Sequence, residues 1–74
     1  MTTAEKIIEL LTPGIGKLMA TSSIKSHCAN LGISIDNIPA GKLPILAKNI
    51  STALVMFIGS DKAKEMEAKI NKCL

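Results

Sequence analysis

Thr2-Thr3-Ala4-Glu5-Lys6-Ile7-Ile8-Glu9-Leu10-Leu11 opens the chain and runs directly into Thr12-Pro13-Gly14-Ile15-Gly16. Thr2 followed three residues later by Glu5 fits a capping box, in which the hydroxyl accepts a first-turn amide and the carboxylate reaches back. Ala4, Ile7, Ile8 and Leu11 then fall at i, i+3, i+4 and i+7, along one side of a helix. Glu5, Lys6 and Glu9 are left for water. Proline cannot continue the ladder and glycine tolerates a left-handed turn, so the helix is expected to stop at Thr12-Pro13-Gly14. A short amphipathic helix closed by a tight turn needs other elements to cover its apolar stripe.

The next stretch, from about Ile15 to Leu31, keeps helical spacing but changes phase. Ile15, Leu18, Met19 and Ser22 share one face, whereas Ala20, Ile24, His27, Cys28 and Leu31 share another. Thr21-Ser22-Ser23 sits at the change, and such residues cap helices better than they extend them. A bend or break is expected there. Gly32 closes the segment.

Residues 33–42 form a connector. Ile33-Ser34-Ile35-Asp36 alternates like a strand but has no partner strand, so an extended turn is expected, with one helical turn at Asp36-Asn37-Ile38. Pro44 suits the first turn of the next helix. That helix runs from about Leu43 to Ile58, with Leu43, Leu46, Ala47, Ile50, Leu54, Phe57 and Ile58 as core stripe. Ile45, Val55 and Met56 fall on its rear, beside Lys48 and Thr52. A helix apolar nearly all round is buried on several sides or meets a partner. Gly59 ends it, Ser60 is placed to cap, and Asp61 complements the dipole of a last helix reaching the C-terminus. Ala63, Met66, Ile70 and Cys73 keep helical spacing there. These elements make one domain, 1–74, of all-α class: a small orthogonal bundle of four to five short helices.

Composition narrows the function. The single aromatic residue is Phe57, and the charge of +3 comes from nine lysines with no arginine. Without arginine the usual bidentate reader of guanine is missing, and without tyrosine or tryptophan there is no stacking platform for single strands. The longest apolar run, Ala53 to Ile58, is far below the roughly 20 residues of a membrane span. The N-terminus has no basic segment followed by an apolar one, so no secretory signal is read and reduced thiols in the cytoplasm are expected.

Three constellations bear weighing. Gly16-Lys17 does not make a phosphate-binding P-loop. Leu11 stands where that loop needs its first glycine, and Leu18 stands where it needs serine or threonine. His27, Cys28 and Cys73 have no paired short spacing of the kind zinc sites show, and their positions suit packing. One histidine and six carboxylates, mostly on solvated faces, leave no catalytic set. No catalytic residue, metal or cofactor is assigned.

Leu11-Thr12-Pro13-Gly14-Ile15-Gly16-Lys17-Leu18-Met19-Ala20 is the distinctive local pattern. It resembles the helix-hairpin-helix motif over residues 4–24, with Thr12 where that family usually has an apolar residue. A shift of 43 residues sets Ile7 on Ile50, Leu11 on Leu54, Ile15 on Ile58, Gly16 on Gly59 and Ala20 on Ala63, a weaker repeat over 50–70. The second turn lacks Pro-Gly and carries Asp61. The resemblance implies sequence-independent contact with a nucleic-acid phosphate through the backbones of Gly14, Ile15 and Gly16, helped by Lys17. The other reading of the same residues is a structural corner between helices.

The leading expectation is a non-catalytic module for protein interaction or self-association, with Ile45, Val55 and Met56 as partner surface. The alternative is nucleic-acid backbone binding at Gly14, Ile15, Gly16 and Lys17. No membrane partner is expected.

Overall fold

A computed structural model describes residues 2–73. The elements are α1 (Thr3–Ile15), α2 (Lys17–Leu31), a 3-10 turn (Ala40–Lys42), α3 (Leu43–Ile58) and α4 (Ser60–Ile70). The fold is all-α, a small bundle of four helices, with no strand among the described residues. The chain makes two helical hairpins, α1 with α2 and α3 with α4, joined by the connector 33–42.

The capping box forms at the start of α1. Glu5 donates its amide to Thr2 Oγ1 at 3.2 Å, and the Thr2 amide donates to Glu5 Oε1 at 3.1 Å. Ala4, Ile7 and Leu11 are buried, and Ile8 is half-buried. The helix does not stop at Thr12-Pro13-Gly14. It carries Pro13 inside its last turn and ends at Ile15. Pro13 cannot donate to the Glu9 carbonyl, but Thr12 Oγ1 donates to the Ile8 carbonyl at 2.7 Å and the Gly16 amide closes on the Thr12 carbonyl at 2.8 Å. Pro13 is exposed, so water can serve the carbonyl it leaves open.

No break interrupts α2. Thr21 Oγ1 donates to the Lys17 carbonyl at 2.8 Å, which turns a poor helix former inward on its own ladder. Ala20, Ile24 and Cys28 are buried at intervals of four, and the second apolar face, Leu18 and Met19, meets solvent. The change of phase marks an exposed patch on one helix. At its end Gly32 and Ile33 donate to the Ala29 and Cys28 carbonyls. In the connector, Ser34 and Asn37 pair across a tight turn, and the helical turn falls at Ala40–Lys42 instead of Asp36–Ile38.

Leu43, Leu46, Ala47, Ile50, Ser51 and Leu54 form the buried stripe of α3. Phe57 departs from the expected stripe: it is 62% exposed, and Ile58 is half-buried. The run Ala40–Ile58 is long and apolar enough to cross a membrane by length and composition. Its apolar stripe packs on the other helices while Lys42, Lys48 and Asn49 face outward. Ser51, buried in that stripe, donates its hydroxyl to the Ala63 carbonyl of α4 at 2.9 Å. A buried hydroxyl without such a partner would be costly. Ser60 does not cap α4. It is the first helical residue, and Gly59 occupies the cap position with no side chain to offer.

The 43-residue offset is also a structural repeat. Gly16 has φ 83° and ψ 157°, and Gly59 has φ 84° and ψ 161°. Both amides donate four residues back, Gly16 to Thr12 and Gly59 to Val55. Both carbonyls accept four residues on, from Ala20 and from Ala63. Ala4 and Ala47, Ile7 and Ile50, Leu11 and Leu54, and Ala20 and Ala63 are all buried. Exchanging the hairpins maps α1–α2 onto α3–α4 and α2–α3 onto α4–α1, while α1–α3 maps onto itself; each of these pairings is present. The pattern of helix pairings is thus unchanged when the two hairpins are exchanged.

A φ near +83° with extended ψ is open to glycine and strained for every other residue. Nothing lies within 4 Å of a Cβ built on either glycine, so strain there comes from the backbone alone. Gly16→Ala and Gly59→Ala are each expected to cost about 1–3 kcal/mol, read as a lower thermal midpoint. Gly14→Ala, in a helical turn with its Cβ at ordinary contact distance, 3.5 Å, from Ile58 Cγ2, is expected to leave the midpoint unchanged or raise it.

Candidate functional site at the glycine turns

The ends of α1 and α3 approach each other: a Cβ built on Gly14 would stand 3.5 Å from Ile58 Cγ2. Pro13 and Gly14, Phe57 and Ile58, and Lys62, Glu65, Met66 and Lys69 of α4 line one groove of about 620 Å³. One end of the molecule therefore carries both glycine turns and the first residues of α2 and α4.

Of the residues expected to contact phosphate, Gly14 and Ile15 belong to the last turn of α1, and the Gly16 amide is committed to Thr12. The α2 ladder starts with the Ala20 amide, which leaves the amides of Lys17, Leu18 and Met19 ahead of it. Their counterparts on α4 are Ser60, Asp61 and Lys62. Lys17 is exposed and lines a small groove with Glu5, Ile8, Glu9 and Thr21, so two carboxylates share its surroundings.

The residues expected to form a partner surface are all exposed: Ile45 46%, Val55 42% and Met56 92%. They do not make one patch. Ile45 precedes Val55 by ten residues on α3, roughly 15 Å along the axis, with exposed Lys48, Asn49 and Thr52 between. Val55 and Met56 instead join Phe57 beside Gly59, and Leu18 (85% exposed) and Met19 (48%) flank Gly16. Sequence reasoning placed Phe57 in the core stripe of α3, from which the structure removes it.

The titratable groups stand elsewhere. The amide of Thr2, and then its hydroxyl, hold the Glu5 carboxyl below its ordinary value. Burial pushes both thiols up, and Lys6 pulls Cys73 partly back. Cys28 and Cys73 are free. Among the described residues no three His, Cys, Asp or Glu side chains stand together as metal ligands. A second groove, about 540 Å³, runs between α1 and α4 with Lys6, Glu9, Lys69 and Lys72 on its walls. Comparison with known protein families, curated proteins and solved structures finds no match.

Burial also holds the His27 imidazole below its ordinary value of 6.5, because the charged ring loses hydration. The unfolded chain therefore takes up this proton more readily than the fold does. Stability is expected to be flat in this group above pH 6.5 and to fall as the pH drops below it. Thermal midpoints at about pH 7.5 and pH 5.5 read this, and His27→Gln is expected to shrink the difference.

Proposed function

We propose that this protein is a non-catalytic protein-interaction module that docks through the end bearing its glycine turns. One observation carries the reading. Among the described residues, five of the six large apolar side chains left exposed, Leu18, Met19, Val55, Met56 and Phe57, lie within four residues of Gly16 or Gly59. Full burial of one such side chain contributes about 1.5–3 kcal/mol, so each of the five would gain from a partner that covered it. The buried, free thiols suit a reducing compartment, and we place the protein in the cytoplasm.

Nucleic-acid backbone binding is the second reading. The matched turns at Gly16 and Gly59 favour it, since each opens a helix whose first amides have no side-chain cap. Asp61 in the first turn of α4 and the carboxylates near Lys17 weigh against it, because both lower the attraction for phosphate.

If the apolar end serves docking and not folding, Leu18→Gln/Met56→Gln at low micromolar concentration keeps its thermal midpoint within about 3 °C. A loss above about 8 °C would assign these side chains to the core and remove the interaction reading.

The second reading is checked by titrating a fluorescent DNA duplex at low and moderate salt, with Lys17→Glu/Lys62→Glu as comparison. The glycines are left intact because their replacement strains the fold. No binding is expected. Salt-sensitive binding lost in the lysine variant would instead establish nucleic-acid contact.

A further inference from the structure

The two grooves share a residue and two walls. Lys69 lines both of them. One sets Lys6, Glu9 and Leu10 of α1 opposite Lys69, Lys72 and Cys73. The other sets Pro13 and Gly14 of α1 opposite the α4 stretch from Lys62 to Lys69. Positions rise along α1 as they fall along α4, so the two helices run antiparallel as the walls of one trough. It opens at the glycine-turn end, where Phe57 lines it. The α4 wall from Lys62 to Lys69 alone spans about 10 Å. An elongated site of this form suits a chain segment more than a compact small molecule.

The trough has an apolar floor and a basic rim. Leu10, Ile58 and Met66 are half-buried, packed on the core and part of the lining. Four lysines, Lys6, Lys62, Lys69 and Lys72, stand along it against two carboxylates, Glu9 and Glu65. The surplus of lysine favours an occupant with negative charge, and the floor favours one with apolar side chains. Nucleic acid meets only the first requirement, and its phosphates would be set against Glu9 and Glu65. An acidic peptide segment with apolar residues among its carboxylates meets both.

The helical repeat shows that the bundle itself does not need this lining. The α4–α1 pairing has its counterpart in α2–α3. A shift of 43 residues carries Lys6, Glu9 and Leu10 onto Asn49, Thr52 and Ala53, and Lys69 and Lys72 onto Ser26 and Ala29. All five counterparts are exposed and none is charged. The same packing thus forms on that side with small neutral residues, and the lysines and Leu10 are left to serve something other than the fold.

We propose that the α1–α4 trough docks an acidic, amphipathic segment of a partner protein, whose carboxylates pair with Lys62, Lys69 and Lys72 and whose apolar side chains rest on Leu10, Ile58 and Met66. The inference rests on the interaction reading above and names the chemistry of the partner.

A displayed library of random peptides of about 12 residues, long enough to follow the trough, is selected on the immobilised full chain. The enriched peptides are expected to carry an excess of Asp and Glu together with large apolar residues. Their binding, read by fluorescence anisotropy, is expected to fall with salt and to weaken about tenfold or more in Lys69→Glu/Lys72→Glu, with helical circular dichroism unchanged. Lys69→Gln/Lys72→Gln gives a smaller loss in the same direction and serves if the glutamates disturb the end of α4. Lys25→Glu/Lys48→Glu changes net charge equally at exposed sites outside the trough and is expected to alter binding less than about twofold. No enrichment, enrichment without an acidic excess, or equal weakening by the two glutamate pairs would overturn the trough. A DNA duplex bound in a salt-sensitive way and lost in Lys69→Glu/Lys72→Glu would also overturn it and assign the site to nucleic acid. Leu18 and Met56 stand outside both linings, which keeps the two readings separable. Peptides that ignore the Lys69/Lys72 changes but are lost in Leu18→Gln/Met56→Gln would remove the trough and keep the apolar end as docking surface.

Discussion

Two backbone turns, at Gly16 and Gly59, set everything else. In each, one residue reverses the helix direction while its amide closes the helix before it and its carbonyl opens the helix after it. With a single residue spent on the reversal, the paired helices start in contact. The residue at the closest point must then be small. Ala20 and Ala63, four residues past each glycine, are both buried there, and the Ala63 carbonyl is close enough to accept the Ser51 hydroxyl. Any larger side chain at these alanines would press the helices apart.

The same economy explains the exposed apolar end. A one-residue turn leaves no loop to fold back over the helix termini. Met56, Phe57 and Leu18 lie on sides of their helices turned away from the core, while Ile58, next to Gly59, still packs against it. The ends of α1 and α3 lie close together, with room for only a small residue at Gly14 before Ile58 is reached.

Much of this was legible in residue order. The capping box of α1, the bounds of α3, the glycines at 32 and 59 and the all-α class follow from spacing and cap chemistry alone. What was missed has physical causes. Pro13 reads as a stop, but in a last turn its missing amide removes only one bond, to a carbonyl that water can reach, and α1 continues to Ile15. Thr21-Ser22-Ser23 reads as a break, yet the Thr21 hydroxyl bonds back to Lys17 and α2 runs straight through. Phe57 fits a helical stripe by period, but periodicity cannot say where the neighbouring helix ends. For the candidate site, Val55 and Met56 were legible as surplus apolar surface. The exposure of Leu18 and Met19 was not, because spacing alone does not say which of the two apolar faces of α2 meets the other helices.

The pairing of the hairpins has a bearing on chain order. The α1–α4 packing brings Lys6 and Cys73 to one groove, so the two ends of the described chain lie close to neighbouring helices, while the connector 33–42 buries Ile38 and leaves its polar residues exposed. Each hairpin is closed by its own glycine and owes nothing to the connector for its internal pairing. A circularly permuted chain, joined at the old termini and opened within 33–42, would run α3–α4–α1–α2 and bury the same residues. The architecture is indifferent to which hairpin is synthesised first.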